Sequence, residues 1–239
     1  MFFTIYFLIA ISSFCEVDSV DVYFVKYRLI KDNTVGTLIS RTNQMILNGK
    51  EVYYFSTEAK SNGMVSELRP FYMKMESWTE AENLRTLRVK KSEDLHGKKK
   101  DVEIFLDQSN SQAVWNVSAD KEYSLTEKIL PDSKDLLTLL YILKAIPTES
   151  LAIGKSWNIN MVKEFPSVSD TVYSNTLPAI ISRFEKKNLE GKEIWCFVFE
   201  ISYKDDFLGK SEKILIWLSK EHKIEILKRG SCVLILKQK

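Results

Sequence analysis

Apolar and polar residues alternate along most of the chain, and turn residues punctuate the alternation at short intervals. Between Asp21 and Ile30, Tyr23, Val25, Tyr27 and Leu29 fall on one face and Lys26 and Arg28 on the other, which is the period of a strand. Asp32-Asn33 makes a turn and Val35 to Leu47 reads as a second strand. Asn48-Gly49 then supplies the positive-φ pair that a tight hairpin needs before Val52 to Ala59. The chain therefore opens as a β-meander. After a turn at Asn62-Gly63, the segments Phe71 to Trp78, Thr86 to Lys91, Asp101 to Asp107 and Gln112 to Val117 alternate as strands, with Gly97 and the basic run Lys98 to Lys100 placed at a turn.

The period changes at Leu130-Pro131-Asp132-Ser133-Lys134-Asp135. Asp132 or Ser133 can cap a helix there, and Asp135 in the first turn favours the positive end of its dipole. Leu136, Leu139, Leu140 and Leu143 recur at helical spacing as one apolar stripe, the helix runs to about Ala145, and Pro147 ends it. Strands resume after Gly154: Ser156 to Lys163, Ala179 to Lys187, Glu193 to Tyr203, Ser211 to Ser219 and Lys223 to Leu236. Turns at Glu190-Gly191-Lys192 and Leu208-Gly209-Lys210 separate them. Ile194, Cys196 and Val198 lie on one face and Trp195, Phe197 and Phe199 on the other, so this strand is central or covered by the helix. One helix among many strands makes the chain mainly β, with the helix packed against the sheet.

Composition adds bounds. The chain has 239 residues, 45% hydrophobic and 28% charged, which suits a folded protein with one β-rich domain over residues 20–239. A net charge of +2 is too slight to argue for a polyanion, and no nucleic-acid partner is expected. Phe2 to Phe14 is uncharged and apolar apart from Thr4, Tyr6, Ser12 and Ser13. A membrane-spanning helix needs ~20 apolar residues and a secretory signal ~7–15, so residues 1–19 are expected to be a signal peptide, although no Lys or Arg precedes the apolar run. Small residues place the cleavage before Glu16 or before Val20. The mature chain then has no stable transmembrane span. Phe14 before Cys15 does not suit a lipid-anchor motif. Cys196 and Cys232 remain, as one disulfide or as two free thiols in neighbouring strands.

Candidate chemistry is sparse. His96 and His222 stand beside turn residues without Cys or His at ligand spacing, so no metal site is expected and both read as lone exposed histidines. There is no Gly-x-Ser-x-Gly and no glycine-rich phosphate loop, and hence no cofactor or nucleophile is indicated. Asp205-Asp206 reads as a solvated turn. Asp135 and Lys144, nine positions apart, fall on different levels of the helix, and read as a helix cap and as a charge near the helix's negative end. The tryptophans and tyrosines lie within alternating strands, where aromatics serve as core and cross-strand partners.

Several of these segments together resemble an uncharacterised family of exported bacterial envelope proteins, domain of unknown function 3108. The likeness begins with Tyr27 and Gly36 in the run from Tyr27, and continues through Ala59-Lys60-Ser61-Asn62-Gly63 and Ser77-Trp78. It is strongest from Asp135 to Lys144, followed by Gly154-Lys155, where the family tends to have an acid, a small hydroxyl residue, an aromatic and an Arg, and then a glycine. It closes on Ile216-Trp217-Leu218-Ser219. Glu221, Ile226 and Lys144 depart from the family's usual Asp, Pro and Arg. The resemblance implies a single curved antiparallel sheet, a β-roll or half-barrel, with the helix packed into or against it. The expected function is non-catalytic and periplasmic: binding or carrying a lipid-like envelope ligand or, alternatively, acting as a scaffold for an envelope protein in the assembly of an outer-membrane or surface system.

Overall fold

The computed structural model describes residues 19–27, 34–68, 70–163, 174–204, 211–230 and 232–237. Its strands are β1 (Ser19–Tyr27), β2 (Thr34–Leu47), β3 (Lys50–Ser61), β4 (Phe71–Glu80), β5 (Thr86–Leu95), β6 (Lys98–Asp107), β7 (Gln112–Ser118) and β8 (Glu122–Lys128), followed by β9 (Ser156–Val162), β10 (Ser174–Leu189), β11 (Lys192–Lys204), β12 (Ser211–Ser219), β13 (Ile224–Arg229) and β14 (Cys232–Leu236). Among the described residues two α-helices interrupt them, α1 (Gly63–Leu68) and α2 (Leu136–Ala145), the second followed by a short 3-10 turn at Thr148–Ser150. All fourteen strands form one antiparallel sheet, ordered β8 to β1, then β14 down to β9. The first and last strands thus meet at its centre, with Tyr23 opposite Leu236. The two halves wind outwards to the edges β8 and β9, and α2 joins them in sequence.

The sheet is unclosed, and the segment entering α2 spans part of the seam. Lys134 bridges Met161 in parallel, its N–H donating to Asn160 O at 2.7 Å and its carbonyl accepting from Val162 N–H at 2.8 Å. From the other half, Trp115 Nε1 donates to Lys163 O at 3.0 Å. The sheet consequently wraps around α2 and buries more than the stripe of leucines expected. Leu137, Tyr141 and Ala145 pack with Phe55, Val89, Ile104 and Trp115, while Leu139, Leu143 and Ile146 pack with Ile181, Phe199, Ile216 and Leu218. Each such side chain, fully buried, contributes roughly 1.5–3 kcal/mol. β11 is apolar on both faces because Phe199 meets the helix cluster while Cys196 and Val198 join Trp217 and Ile226 on the convex face.

Local chemistry sets the turns. Asn48 and Gly49 have φ of 51° and 78°, the two positive angles of the hairpin that Asn-Gly favours. Gly36 is needed for a different reason: a Cβ there would lie 2.4 Å from Lys60 O and 2.8 Å from the Phe71 ring. Other expectations require correction. Asn62-Gly63 opens the short helix α1 rather than a bare turn, and Lys98 to Lys100 are the first residues of β6, because the turn is complete at His96-Gly97. Lys223 to Leu236 is two strands separated at Gly230. β8 was not anticipated; as an edge strand it is mostly exposed, with Leu125 alone among its aliphatic residues packed against the core. Residues 1–18, Asp32-Asn33, Asp205-Asp206 and Leu208-Gly209-Lys210 lie outside the described residues. Among those described, no helix is long and apolar enough to cross a membrane.

Candidate functional site

The start of α2 is fixed by a buried knot of hydroxyls around one carboxylate. Asp135 Oδ1 accepts from the N–H groups of Leu137 and Thr138 at 2.8 and 3.3 Å, so Asp135 is itself the N-cap. Its Oδ2 accepts from the hydroxyls of Ser77, Thr86 and Thr138 at 2.7, 2.8 and 2.5 Å. Thr79 completes the group at 2.7 Å from the Thr138 hydroxyl, and none of the five residues is more than 1% exposed. A buried charge survives only when its lone pairs are satisfied, and this one accepts five hydrogen bonds. The expectation that Asp132 or Ser133 caps the helix is corrected. Lys134 is held in the β9 bridge, so helical geometry begins only after it. Asp132 instead sits at φ 58° and pairs with Lys134 Nζ at 2.6 Å, while Ser133 Oγ donates to Leu130 O at 2.6 Å. Lys134 also donates to Leu84 O, and burial pulls its ammonium below the usual lysine range, with Asp132 opposing.

The other end of α2 is anchored twice. Lys144 Nζ lies 3.2 Å from Asp21 Oδ2 on β1, both side chains about a fifth to a quarter exposed. His222, in the turn between β12 and β13, places Nδ1 2.9 Å from Lys144 O and Nε2 2.9 Å from Thr148 Oγ1. It is therefore a half-buried helix C-terminal partner, not the lone exposed histidine expected, because the turn carrying it folds under the helix end. Asp135, Thr138, Tyr141 and Lys144, the positions carrying the strongest family likeness, thus all point from α2 to the half of the sheet formed by β1, β3, β4 and β5: the Tyr141 ring packs at a tilt of 39° against Tyr53 and Phe55, with centroids at 5.0 and 4.8 Å.

Between this helix face and the sheet lies a partly enclosed cavity of about 250 Å³. Strand register orders its floor into rows. Lys91, Met75, Thr57, Ser40 and Asp21 stand opposite one another from β5 to β1 and all line it. The next row brings Met73, Leu38 and Tyr23, then come Leu234 and Leu227, and finally Cys232 and Arg229. Rows are spaced by two residues, ~6.6–6.8 Å. Leu136, Leu137 and Leu140 form the roof. The charged lining consists of Lys91, Lys144, Arg229 and Asp21, three cations to one carboxylate. Lys91 is held by Glu93 at 2.8 Å. Burial, with Asp21 and Glu225 nearby, drives the Tyr23 phenol far above its usual range and keeps it neutral. The signal for this site was polar Ser40, Thr42 and Thr57 on the face that otherwise carries Leu38, Phe55 and Ala59, which sequence reading did not use.

The cysteines do not pair. Cys196 lies on the convex face of β11 and Cys232 on the cavity side of β14, with β12 and β13 between them. Three strand spacings amount to roughly 14 Å, well beyond the ~7 Å limit for a bridged Cα pair. The expected disulfide is thereby excluded, and the alternative of neighbouring strands is corrected as well. Among the described residues no group of three His, Cys, Asp or Glu stands together as a metal site.

An antiparallel roll wound around an internal helix, with a small cavity under that helix, is the class of protein that fold and site define. The chain belongs to the family described as "Protein of unknown function (DUF3108)", whose model matches residues 22–230. Among solved structures it is similar to the crystal structure of a beta-barrel-like protein of domain of unknown function DUF1849 from Brucella abortus. That likeness has a TM-score of 0.54 at 13% identity and covers 92% of this chain and 95% of that one, a likeness of fold alone. No curated protein matches the chain.

Proposed function

We propose that the chain is a non-catalytic binding or carrier protein of the bacterial cell envelope, exported by its apolar N-terminal segment, that holds a hydrophobic ligand beneath α2. The observation supporting this is the cavity of about 250 Å³ under Leu136 and Leu140, floored by Met73, Leu38 and Leu234. An apolar cavity of ~150 Å³ already admits a benzene-sized guest, whereas drug-sized sites run from ~300 Å³ upwards. The ligand is accordingly one slender apolar chain or ring. Native mass spectrometry of gently purified protein, together with displacement of a fluorescent apolar probe, tests the reading. A co-purifying hydrophobic molecule or saturable probe binding supports it, and absence of both defeats it.

A second reading, a scaffold in envelope assembly, is favoured by the edge of β8, which pairs only with β7 and carries Tyr123 at 47% exposure. Glu122, Glu127 and Lys128 on the same short strand weigh against it, since edge charges discourage strand addition. Crosslinking to envelope proteins through β8 would favour the scaffold.

A further inference from the structure

The two halves of the sheet differ in what they turn outwards. On the convex face of the first half, one row reads Ser56, Glu76, Lys90, Glu103, Asn116 and Ser124 from β3 to β8. Charges there meet partners, Glu76 with Lys74 and Glu103 with Arg88. From β1 across the second half to β11, a convex row reads Phe24, Ile235, Ile226, Trp217 and Val198. Val20, Val22 and Ile39 widen it on one side, and Val233, Leu215 and Ile180 on the other. Val20 and Ile180 are 48% and 38% exposed, while Val22, Phe24, Val233, Ile235 and Leu215 are half-buried. Single apolar residues on a surface need no explanation, whereas a contiguous apolar area marks a contact.

Neither α-helix covers this area. α2 lies inside the roll, and α1 packs inwards through Val65, which joins Tyr23 and Leu38. Cations frame it instead. Lys26 and Lys228 alternate with Val233 and Leu215 along one row, Arg41 stands opposite Val20, and Lys237 places its ammonium 5.8 Å from the Phe24 ring. The carboxylates on the same face are already paired, Glu200 with Lys213 and Glu185 with Arg183 and Lys187. Glu225 of β13 is 3% exposed and does not reach the surface. Glu58 stands at the border on β3, between Ile39 and Lys74. Lys26, Lys228, Lys237 and Arg41 therefore outweigh the acid that borders the area.

We infer that this convex face seats the protein on an anionic lipid leaflet. Val20, Val22, Phe24 and Ile235 enter the boundary between headgroups and acyl chains, and the framing cations meet the lipid phosphates. Charge selects this partner over two others. A second copy packed face to face would set one cationic frame against another, and a neutral apolar surface would leave the frame unmatched. The inference does not rest on the cavity, which lies on the inner side of the sheet.

Co-sedimentation of the full chain with vesicles of phosphatidylcholine, alone or mixed with phosphatidylglycerol, tests it. Residues 1–18 are common to every variant, so differences between variants report this face. A lysine near an anionic leaflet tightens binding about fivefold, and Lys26→Gln with Lys228→Gln should weaken binding to the mixed vesicles roughly 25-fold. Lys90→Gln with Lys99→Gln, the same charge change on the other half, should weaken it far less. Val22→Thr with Val233→Thr keeps every charge and should still weaken it severalfold. In a chain with Cys15 and Cys232 replaced by Ser, a solvatochromic dye on Thr37→Cys should shift to the blue on mixed vesicles, and one on Ser124→Cys should not. Urea midpoints close to that of the parent chain show that the variants are folded. Binding of an apolar probe in the cavity should be unaffected, so this inference and the carrier reading fail separately. Equal binding to both kinds of vesicle, an equal loss from the Lys90 and Lys99 pair, or no binding at all would overturn the inference. Dimers in free solution that Val22→Thr with Val233→Thr abolishes would overturn it in favour of a second copy.

Discussion

Ser77 on β4 donates to Asp135 at 2.7 Å, joining residues 58 positions apart in the sequence inside the roll. This contact fixes where α2 begins relative to the sheet, because the same carboxylate caps the helix. Asp135→Ala removes the cap, worth ~0.5–2 kcal/mol, and deprives Ser77, Thr86 and Thr138 of their acceptor in a dry site. A loss of roughly 3–5 kcal/mol in urea unfolding is expected, a large part of a domain's ~5–15 kcal/mol. Asp135→Asn should cost less, since the amide keeps one oxygen for the cap and the hydroxyls can rotate to accept. Equal effects of the two substitutions would contradict this account.

The ion pair between Asp21 and Lys144 ties the other end of α2 to the central strand β1. Its side chains are 24% and 21% exposed, so it belongs with partly solvated pairs, whose coupling is about 0.5–1 kcal/mol and falls with salt. A double-mutant cycle with Asp21→Asn and Lys144→Met should return that coupling in low salt and less in 1 M salt. Zero coupling in low salt would show that His222 alone holds the helix end.

Strands were legible because their cores alternate: β2, β3, β4 and β11 begin and end within a few residues of where Val35 to Leu47, Val52 to Ala59, Phe71 to Trp78 and Glu193 to Tyr203 suggest. The helix was legible for its leucines, but its two-sided burial was not, since nothing in the local period says that a sheet will wrap around it. Asp135 was legible as a cap, but Asp132 and Ser133 competed with it because the long-range bridge from Lys134 to Met161, which delays the helix, has no local signature. β8 escaped notice since an edge strand that is mostly exposed, Glu122 to Lys128, needs only Leu125 to meet the core. The cavity row was written in the sequence as hydroxyls at inward positions of β2 and β3. Recognising it required the register that sets Ser40 opposite Thr57 and Thr57 opposite Met75.

Both described thiols should be inert in the folded protein. Burial pushes Cys196 up to about 12, reinforced by Glu225, Glu221 and Glu185, and raises Cys232 as well, with Arg229 opposing. At pH 8 a thiol of that kind is thiolate in about one molecule in ten thousand. With Cys15 removed or replaced by Ser, Ellman's reagent should label Cys196 only after denaturation, and reductant should leave the mass unchanged. A gain of two mass units on reduction would mean that the two residues had bonded, contrary to their places on opposite faces of the sheet.

Glu185 gives the convex face a measurable pH dependence. Desolvation works to raise its carboxyl, but hydrogen bonds from Arg183, Trp217 and Lys187 outweigh it and hold the group down at about 2 against an ordinary 4.5. Trp217 Nε1 donates to it at 2.6 Å, with Arg183 and Lys187 packed over the indole. A carboxyl with a lowered folded-state pKa adds stability that is fully present above the unfolded value and is lost as pH falls towards the folded one. The wild-type chain should therefore be more stable than Glu185→Gln at pH 6, with the advantage shrinking below about pH 4.5 and gone near pH 2. Urea unfolding of both proteins across that range, followed by Trp217 fluorescence relative to Trp217→Phe, measures it. High salt should narrow the gap, because the Glu185 side chain is 28% exposed and its partners are screened. Parallel stability curves from pH 6 to pH 2 would mean that Glu185 titrates alike in the folded and unfolded chains, and that the Arg183, Trp217 and Lys187 contacts contribute nothing to its charge.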